Sequence, residues 1–166
     1  VLVVDGLFSD HEEMTCEALA RGIHVYCDKP LALTLDGLAR VEAAAQASPA
    51  LLWAMQTARY DPWFYTAKAL IEEGAIGSIR LLTAQKSYRL GQRADFFRHR
   101  ALQGGLNPWV AIHGIDFIRY LYPHAVDTIY AHHSTQANNG YGDLEVTALL
   151  MMTMENGVSA QVSADY

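Results

Sequence analysis

Three short apolar runs, separated each time by a segment of helix length, constrain the fold of this chain more than any other feature. The runs cover residues 1–4, 23–27 and 51–55. Between them, Ser9 or Asp10 can cap a helix that stops at Gly22, and Thr34 can cap a second helix over residues 35–47. Strands joined by whole helices run parallel, and unbroken apolar runs are typical of strands covered on both faces. The pattern predicts a partial doubly wound, Rossmann-type parallel sheet.

The pattern changes after residue 58, where longer strands replace the short ones. The predicted elements are a helix over residues 62–74, capped by Asp61, a strand over 78–90, a helix over 108–122, and strands over 126–134, 144–154 and 157–166. Asn156-Gly157 joins the last two strands and is a strong hairpin signal. We therefore predict an α/β chain with two domains. Residues 1–58 form the domain with the parallel sheet, and residues 59–166 form an α+β domain with a mainly antiparallel sheet.

The composition excludes several classes of protein. The chain has 166 residues, is 51% hydrophobic and 18% charged, and has no apolar run long enough for a membrane span. Its formal net charge of -6 offers no basic face for nucleic acid. Cys16 and Cys27 make no disulfide framework, which indicates a reducing, cytoplasmic location. Because the chain begins without Met inside an apolar run, we expect it to be a fragment, incomplete also at its C-terminus.

Lys29 lies where chemistry is expected in a parallel sheet. It follows the second apolar run, and ligands of such sheets bind outside the carboxyl ends of the strands. Pro30 sets the chain direction directly after it, and a lysine in this place can act as a general acid or base. The alternative is a surface turn in which Asp28 and Lys29 form a solvated ion pair, worth about 0–1 kcal/mol.

The segment GGLNPWVAIHGID is the second candidate. Gly104 and Gly105 allow close backbone approach to a ligand, and a helix from Pro108 would place Trp109, His113 and Asp116 on one side. His113 and Asp116 could then form an oriented base pair. The alternative is a helix with a core histidine and a solvated carboxylate.

Other catalytic and metal-binding patterns are weak. His132 and His133 are adjacent on a predicted strand, so their side chains point to opposite faces and are poorly placed to share a metal. The chain contains no Gly-x-Ser-x-Gly and no Cys-x-x-Cys. We expect no metal site.

Three stretches, in order, resemble the glucose-fructose oxidoreductase, inositol dehydrogenase and MocA (Gfo/Idh/MocA) family of NAD(P)-dependent oxidoreductases. ALARGIHVYCDKPLALT resembles the segment ending in the family's Glu-Lys-Pro motif. RYDPWFYTAKALIEEGAIGSIR resembles the family's link between domains, and GGLNPWVAIHGID its Gly-Gly segment with the Asp-x-Gly-x-His helix. The resemblance covers nearly the whole chain. It implies that residues 1–58 are the C-terminal half of a dinucleotide-binding Rossmann domain and that residues 59–166 are a substrate-binding and oligomerisation domain.

The resemblance implies a hydride transfer between NAD or NADP and a hydroxyl-bearing carbon of a small sugar-like or polyol-like substrate. It implies that Lys29 is the active-site lysine and that His113 is its proton-transfer partner. The implied cofactor-binding residues are His11, Asp28, Lys29, Pro30 and Gln56, and the implied substrate-binding residues are Arg59, Trp109 and Asp116. Asp28 stands where the family has Glu.

Two departures from the family pattern keep alternatives open. Trp109 and Ala111 stand where the family has Asp and Gly, and the chain contains no Gly-x-Gly-x-x-Gly. An inactive fragment is therefore one expectation for the chain alone. The alternatives are a non-catalytic sensor or self-associating relative, and an enzyme that uses NAD transiently for elimination or glycoside cleavage. Alternating apolar residues in LEVTALLMMTM predict a homo-oligomer through the antiparallel sheet. From the charge and the lengths of the apolar runs, we expect no nucleic-acid or membrane partner.

Overall fold

The structure, a computed structural model, describes all 166 residues of the chain, Val1–Tyr166. The helices are α1 (His11–Ala20), α2 (Leu35–Ala47), α3 (Pro62–Glu72), α4 (Arg100–Gln103) and α5 (Ile112–Leu121). The strands are β1 (Leu2–Val4), β2 (Val25–Cys27), β3 (Leu52–Ala54), β4 (Leu81–Ser87), β5 (Val126–Ser134), β6 (Thr147–Met154) and β7 (Ser159–Asp165). None of these helices has the length and apolar character needed to cross a membrane.

The chain forms two compact units. The first contains Val1–Gln56, Arg93–Trp109 and Tyr141–Leu144, and the second contains Thr57–Gln92, Val110–Gly140 and Glu145–Tyr166. The segment with the Gly-Gly pair therefore folds with the N-terminal residues. The single domain boundary after residue 58 stays a prediction.

The first unit contains the predicted parallel sheet, in the order β1-β2-β3. Both connections cross over in the same direction, which with the usual right-handed crossover places α1 and α2 on one face. On that face Val4, Val25 and Cys27 form a core with residues of both helices. The predicted fold class is confirmed for this unit.

The opposite face of the parallel sheet is exposed. Val3, Tyr26 and Trp53 lie in register across the three strands, and Val3 and Trp53 are 59% and 51% exposed. This exposed face of the sheet is therefore apolar, and no layer of helices from the described residues lies on it.

Two of the three predicted helix caps are confirmed. The Thr34 hydroxyl accepts the Gly37 amide at 3.0 Å, and the Asp61 carboxylate accepts the Trp63 amide at 3.1 Å. The predicted cap of α1 is wrong: Asp10 has helical dihedral angles because it ends a short 3-10 helix, and its side chain caps no amide. A capping residue needs an extended backbone to turn its side chain onto the helix end.

The second unit contains a mixed sheet in the order β4-β7-β6-β5. The pairs β5–β6 and β6–β7 are antiparallel, the latter closed by the predicted hairpin at Gly157, whereas β4 and β7 are parallel. Helix α5 lies close to this sheet at Gly114, where an added Cβ would stand 2.6 Å from Val162 Cγ1. A larger residue at position 114 would separate the helix from the strand.

Helix α5 does not begin as an α-helix. Residues 107–111 form a π-helix, and regular α-helical geometry starts only at Ile112. The spacing from Trp109 to His113 therefore does not define one α-helical face, which corrects the predicted common side. Such π-segments are rare and are often found at functional sites.

Candidate active site

Lys29 is buried at the carboxyl end of β2. Only 5% of the residue is exposed, and its Nζ donates a hydrogen bond to the Trp109 carbonyl oxygen at 2.8 Å. The same Nζ lies 3.1 Å from the centroid of the Trp109 ring. The structure therefore brings together two predicted site residues that are 80 positions apart in the chain. This burial excludes the alternative of a solvated surface turn for Lys29.

Aromatic rings surround and orient Trp109. Its ring stacks on Phe8 at a centroid distance of 4.5 Å and meets the edge of Phe97 at 6.1 Å. Phe8 also makes edge contacts with Phe96 and Phe97. Such stacked and edge contacts fix ring orientation beyond simple burial.

His11 connects two loops at the same edge of the sheet. It is 1% exposed, and its Nδ1 lies 2.8 Å from the Pro30 carbonyl oxygen. Because that oxygen only accepts, Nδ1 carries the proton and Nε2 accepts the Gly6 amide at 3.4 Å. His11 thus holds the loop after β1 against the Lys29-Pro30 turn. Its predicted contact with a cofactor stays a prediction.

The ends of all three parallel strands meet at this edge. The Asp28 amide donates to the Val4 carbonyl, and the Met55 amide to the Cys27 carbonyl, each at 2.8 Å. Asp28 and Gln56 are partly exposed directly after β2 and β3. The predicted cofactor-binding residues His11, Asp28, Lys29, Pro30 and Gln56 are therefore gathered at one edge of one unit.

Gly104 packs closely within the first unit. It has φ +78°, which favours glycine, and an added Cβ would stand 2.7 Å from the Leu33 side chain. The predicted close approach of this segment to a ligand stays a prediction.

In the second unit, His113 lies beside a residue that the sequence did not indicate. The Tyr88 hydroxyl is 3.4 Å from His113 Nε2, and the two rings meet edge to face. Tyr88 follows β4, and its amide continues the pairing with β7 by donating to the Asp165 carbonyl. A tyrosine after a strand has no local signal that marks it as a partner of a histidine on a later helix.

Arg59 and Asp116 bind each other. The Arg59 Nε lies 3.0 Å from both carboxylate oxygens of Asp116, and its Nη2 forms a further short contact. The hydrogen bonds to Asp116 raise the pKa of the Arg59 guanidinium above its ordinary value. Asp116 is 7% exposed, so this pair links α5 to the segment before α3. Substrate binding by either residue stays a prediction.

Lys29 and His113 belong to different units, so their predicted convergence stays a prediction. No three His, Cys, Asp or Glu side chains are grouped so that they could hold a metal ion. His133 instead lies 3.5 Å from the buried carboxylate of Glu145.

Comparison with known proteins identifies the family to which a chain with this fold belongs. Residues 1–55 match the oxidoreductase family with an NAD-binding Rossmann fold, and residues 64–166 match the GFO/IDH/MocA C-terminal domain. The chain belongs to the GFO/IDH/MocA family of oxidoreductases. The resemblance inferred from the three sequence stretches is thereby confirmed.

Individual relatives extend this result. The uncharacterized oxidoreductase YrbE of Bacillus subtilis is 30% identical over 155 residues, which is 92% of this chain and 44% of YrbE. An inositol 2-dehydrogenase of Ralstonia nicotianae is 35% identical over 67% of this chain and 32% of its own length. The solved structure of a candidate oxidoreductase from Thermotoga maritima is 44% identical with a TM-score of 0.96, over 99% of this chain and 51% of that one. The chain therefore spans between 32% and 51% of the length of these proteins.

Proposed function

We propose that the protein containing this chain is an NAD(P)-dependent oxidoreductase that acts on a hydroxyl-bearing carbon of a small molecule. The observation that carries the proposal is the buried ammonium of Lys29 at the carboxyl edge of a parallel sheet. A buried lysine at that edge is costly to desolvate, and perturbed or buried ionisable groups cluster at functional sites. Family membership supports the same reaction class.

We further propose a polyol or sugar-like substrate. Support comes from the relative named inositol 2-dehydrogenase, with which the chain shares 35% identity over 113 residues. Trp109 stands where the family has a carboxylate, and the faces of its ring are already occupied by Phe8 and by the Lys29 ammonium. We therefore propose that Trp109 contributes the edge of its ring, rather than a charged group, to the binding of such a molecule.

The edge formed by the three strands fits a nicotinamide cofactor. The position beside Gly6, after β1, is open, since no atom lies within 4 Å of an added Cβ. Lys29, Pro30 and Gln56 follow the two neighbouring strands and would hold the nicotinamide end. The chain contains no Gly-x-Gly-x-x-Gly, so its residues do not supply the usual pyrophosphate loop. When bound, the nicotinamide ring accepts or donates the hydride.

The residues of the chain supply orientation and proton transfer. We propose that the Lys29 ammonium donates a hydrogen bond to the substrate oxygen and stabilises the negative charge that develops there. We propose that His113 takes the hydroxyl proton, with Tyr88 orienting its imidazole through the contact at Nε2.

Replacing Lys29 by methionine tests the proposed function. In the protein as produced from its own gene, Lys29→Met should lower polyol-dependent formation of reduced nicotinamide about 10²- to 10³-fold in kcat, because the group that stabilises the oxyanion is gone. Binding of the oxidised cofactor, measured by calorimetry, should be largely retained, because Pro30 and Gln56 are unchanged.

Lys68 offers a matched control. Its ammonium also donates to a carbonyl, that of Tyr120 at 3.0 Å, and also lies over that residue's ring, at 4.9 Å. Lys68→Met should leave turnover unchanged, because Lys68 lies on α3 and not at the carboxyl end of a parallel strand. Unchanged turnover in Lys29→Met would contradict the mechanism. Absence of turnover in the unaltered protein would favour a non-catalytic role. A cofactor that cycles without net reduction would favour elimination or glycoside cleavage.

We also propose a cytoplasmic homo-oligomer. Cys16 and Cys27 are both free thiols, which suits a reducing compartment. The outer face of the mixed sheet exposes Leu81, Tyr130, Leu149 and Met151, each more than half exposed. An apolar sheet face of this kind usually marks an interface.

A further inference from the structure

We propose that Trp109 positions the Lys29 ammonium, and that its ring face and its main-chain carbonyl do this together. The inference rests on the proposed function of Lys29. It assigns to Trp109 a role toward the lysine rather than only toward the substrate.

The geometry gives the ammonium two anchors from one residue. The carbonyl oxygen of Trp109 accepts at 2.8 Å, and the centroid of its ring lies 3.1 Å from Nζ, well inside the usual limit of about 6 Å for a cation–π contact. An ammonium carries three N–H donors in tetrahedral directions. Two contacts from one residue restrict both the position and the rotation of the ammonium, which is what a group that must meet a reacting oxygen requires.

The anchor itself is held firmly. Phe8 stacks on the Trp109 ring at 4.5 Å, and Phe97 meets it edge-on at 6.1 Å. The indole Nε1 is buried without a hydrogen-bond partner, so the polar end of the ring does not orient it. Aromatic contacts therefore hold the Trp109 ring in place, and the ring contacts Lys29 through its face rather than through the indole N–H.

The kind of anchor matters for catalysis. A carbonyl and an indole face stabilise an ammonium through partial charges and carry no formal charge of their own. A carboxylate in the same place would neutralise the lysine as it held it. Trp109 therefore orients the positive charge without cancelling it, so that the charge can act on a developing oxyanion.

The Lys68–Tyr120 pair shows which features are specific to Lys29. Lys68 has the same two kinds of contact with Tyr120, but its ring distance is 4.9 Å, and Glu72 lies 3.1 Å from its Nζ. Its side chain is 26% exposed on α3. The second pair links two helices and provides an internal control with the same chemistry.

Nuclear magnetic resonance tests the contact without any turnover. The ε-methylene protons of Lys29 should resonate strongly upfield, because they lie near the face of the Trp109 ring. Trp109→Leu should return them to the ordinary lysine position, and Trp109→Phe, which keeps a smaller ring and removes the unpaired N–H, should keep an intermediate shift. Tyr120→Leu should not change the Lys29 resonance. An unchanged Lys29 resonance in Trp109→Leu overturns the proposal.

Kinetics test the positioning role. We expect Trp109→Leu to lower kcat about tenfold to hundredfold with little change in KM, because misplacement by roughly 1 Å can cost about 10²-fold. Trp109→Phe should recover most of kcat, and Tyr120→Leu should leave kcat unchanged. If Trp109→Leu does not fold, the comparison of Trp109→Phe with the unaltered protein carries both measurements.

The outcomes separate this proposal from the proposed function. A lost resonance shift with unchanged kcat overturns the positioning role and leaves the oxidoreductase intact. Absence of turnover in the unaltered protein contradicts the proposed function and with it the catalytic part of this inference. The resonance shift then still decides whether Trp109 holds the ammonium.

Discussion

Burial makes Cys27 unreactive although it lies two residues before Lys29. Cys27 is 0% exposed and its thiol donates to the Asp28 carbonyl oxygen at 3.2 Å. Desolvation raises the pKa of the Cys27 thiol from 9.0, and the nearby charge of Asp28 raises it further. Since the thiolate is the nucleophile, Cys27 takes no part in the chemistry of this edge.

A thiol-specific reagent should distinguish the two cysteines. Cys16 is partly exposed, whereas Cys27 is buried. At neutral pH we expect modification of Cys16 alone, and modification of Cys27 only after denaturant is added. Burial, followed by the charge of Glu12, also raises the pKa of Cys16, so its reaction should be slow. Peptide mass mapping checks the order, and rapid labelling of Cys27 in the folded chain would contradict its burial.

The same shift predicts a dependence of stability on pH. The folded pKa of Cys27 is raised, so between pH 9.0 and that folded value the unfolded chain loses a proton that the folded chain keeps. The contribution of the Cys27 thiol to the free energy of unfolding is therefore fully present below pH 9.0 and decreases as the pH rises through this window. Urea unfolding at several alkaline pH values should show a shallower decline for Cys27→Ala than for the unaltered chain. An equal decline in both would assign the effect to other groups.

Sequence reasoning at the residue scale located Lys29 but not its surroundings. Lys29 was found because an apolar run ends directly before it, which is a local signal. Its contact with Trp109 joins residues 80 positions apart, and the contact between Tyr88 and His113 joins residues 25 apart. Such contacts depend on how helices and strands pack, and one sequence does not encode them in any nearby pattern.

At the scale of elements, the Arg59–Asp116 pair should stabilise the second unit. The Asp116 side chain is 8% exposed and the Arg59 side chain 43%. Removing the guanidinium in Arg59→Ala leaves a buried carboxylate without its partner, which we expect to cost about 1–3 kcal/mol after allowance for the exposed side of the arginine. Urea denaturation measures the change.

Two further variants make this measurement specific. Arg21→Ala breaks an ion pair with Glu17 whose side chains are 68% and 60% exposed, and it should cost at most about 1 kcal/mol. Adding Asp116→Asn to Arg59→Ala should recover part of the loss, since the unpaired charge is gone. Equal costs for Arg21→Ala and Arg59→Ala would mean that the buried pair contributes no more than an exposed one.

Elements were predictable where the signal was local. Thr34 and Asp61 were correctly predicted as caps because each lies in extended backbone before a helix. The cap at Asp10 and the uniform helix from Pro108 were wrong, since a 3-10 helix precedes α1 and a π-helix precedes α5. The stacking of Phe8 on Trp109 joins these two irregular segments, and neither segment has a local sequence signal that marks it.

For the molecule as a whole, the order of strands in the first sheet followed from the alternation of strands and helices. The second sheet did not follow as directly: its two antiparallel pairs were expected, but the parallel pairing of β4 with β7 joins segments far apart in the chain. What both sheets share is one apolar face without a layer of helices. Val3 and Trp53 mark it in the first unit, and Tyr130 and Met151 mark it in the second.

The exposed face of the mixed sheet leads to a prediction about assembly. Tyr130 and Met151 lie opposite each other in the β5–β6 ladder and are 69% and 61% exposed. If this face joins two copies of the protein, Met151→Asp should separate those copies, because a buried unpaired carboxylate is strongly unfavourable at an interface. Leu35→Asp is the control, since Leu35 is 84% exposed at the start of α2 and outside the sheet. Light scattering coupled to size exclusion should give the same oligomer for the unaltered protein and Leu35→Asp, and a species of lower mass for Met151→Asp. An equal mass in all three would place the interface elsewhere.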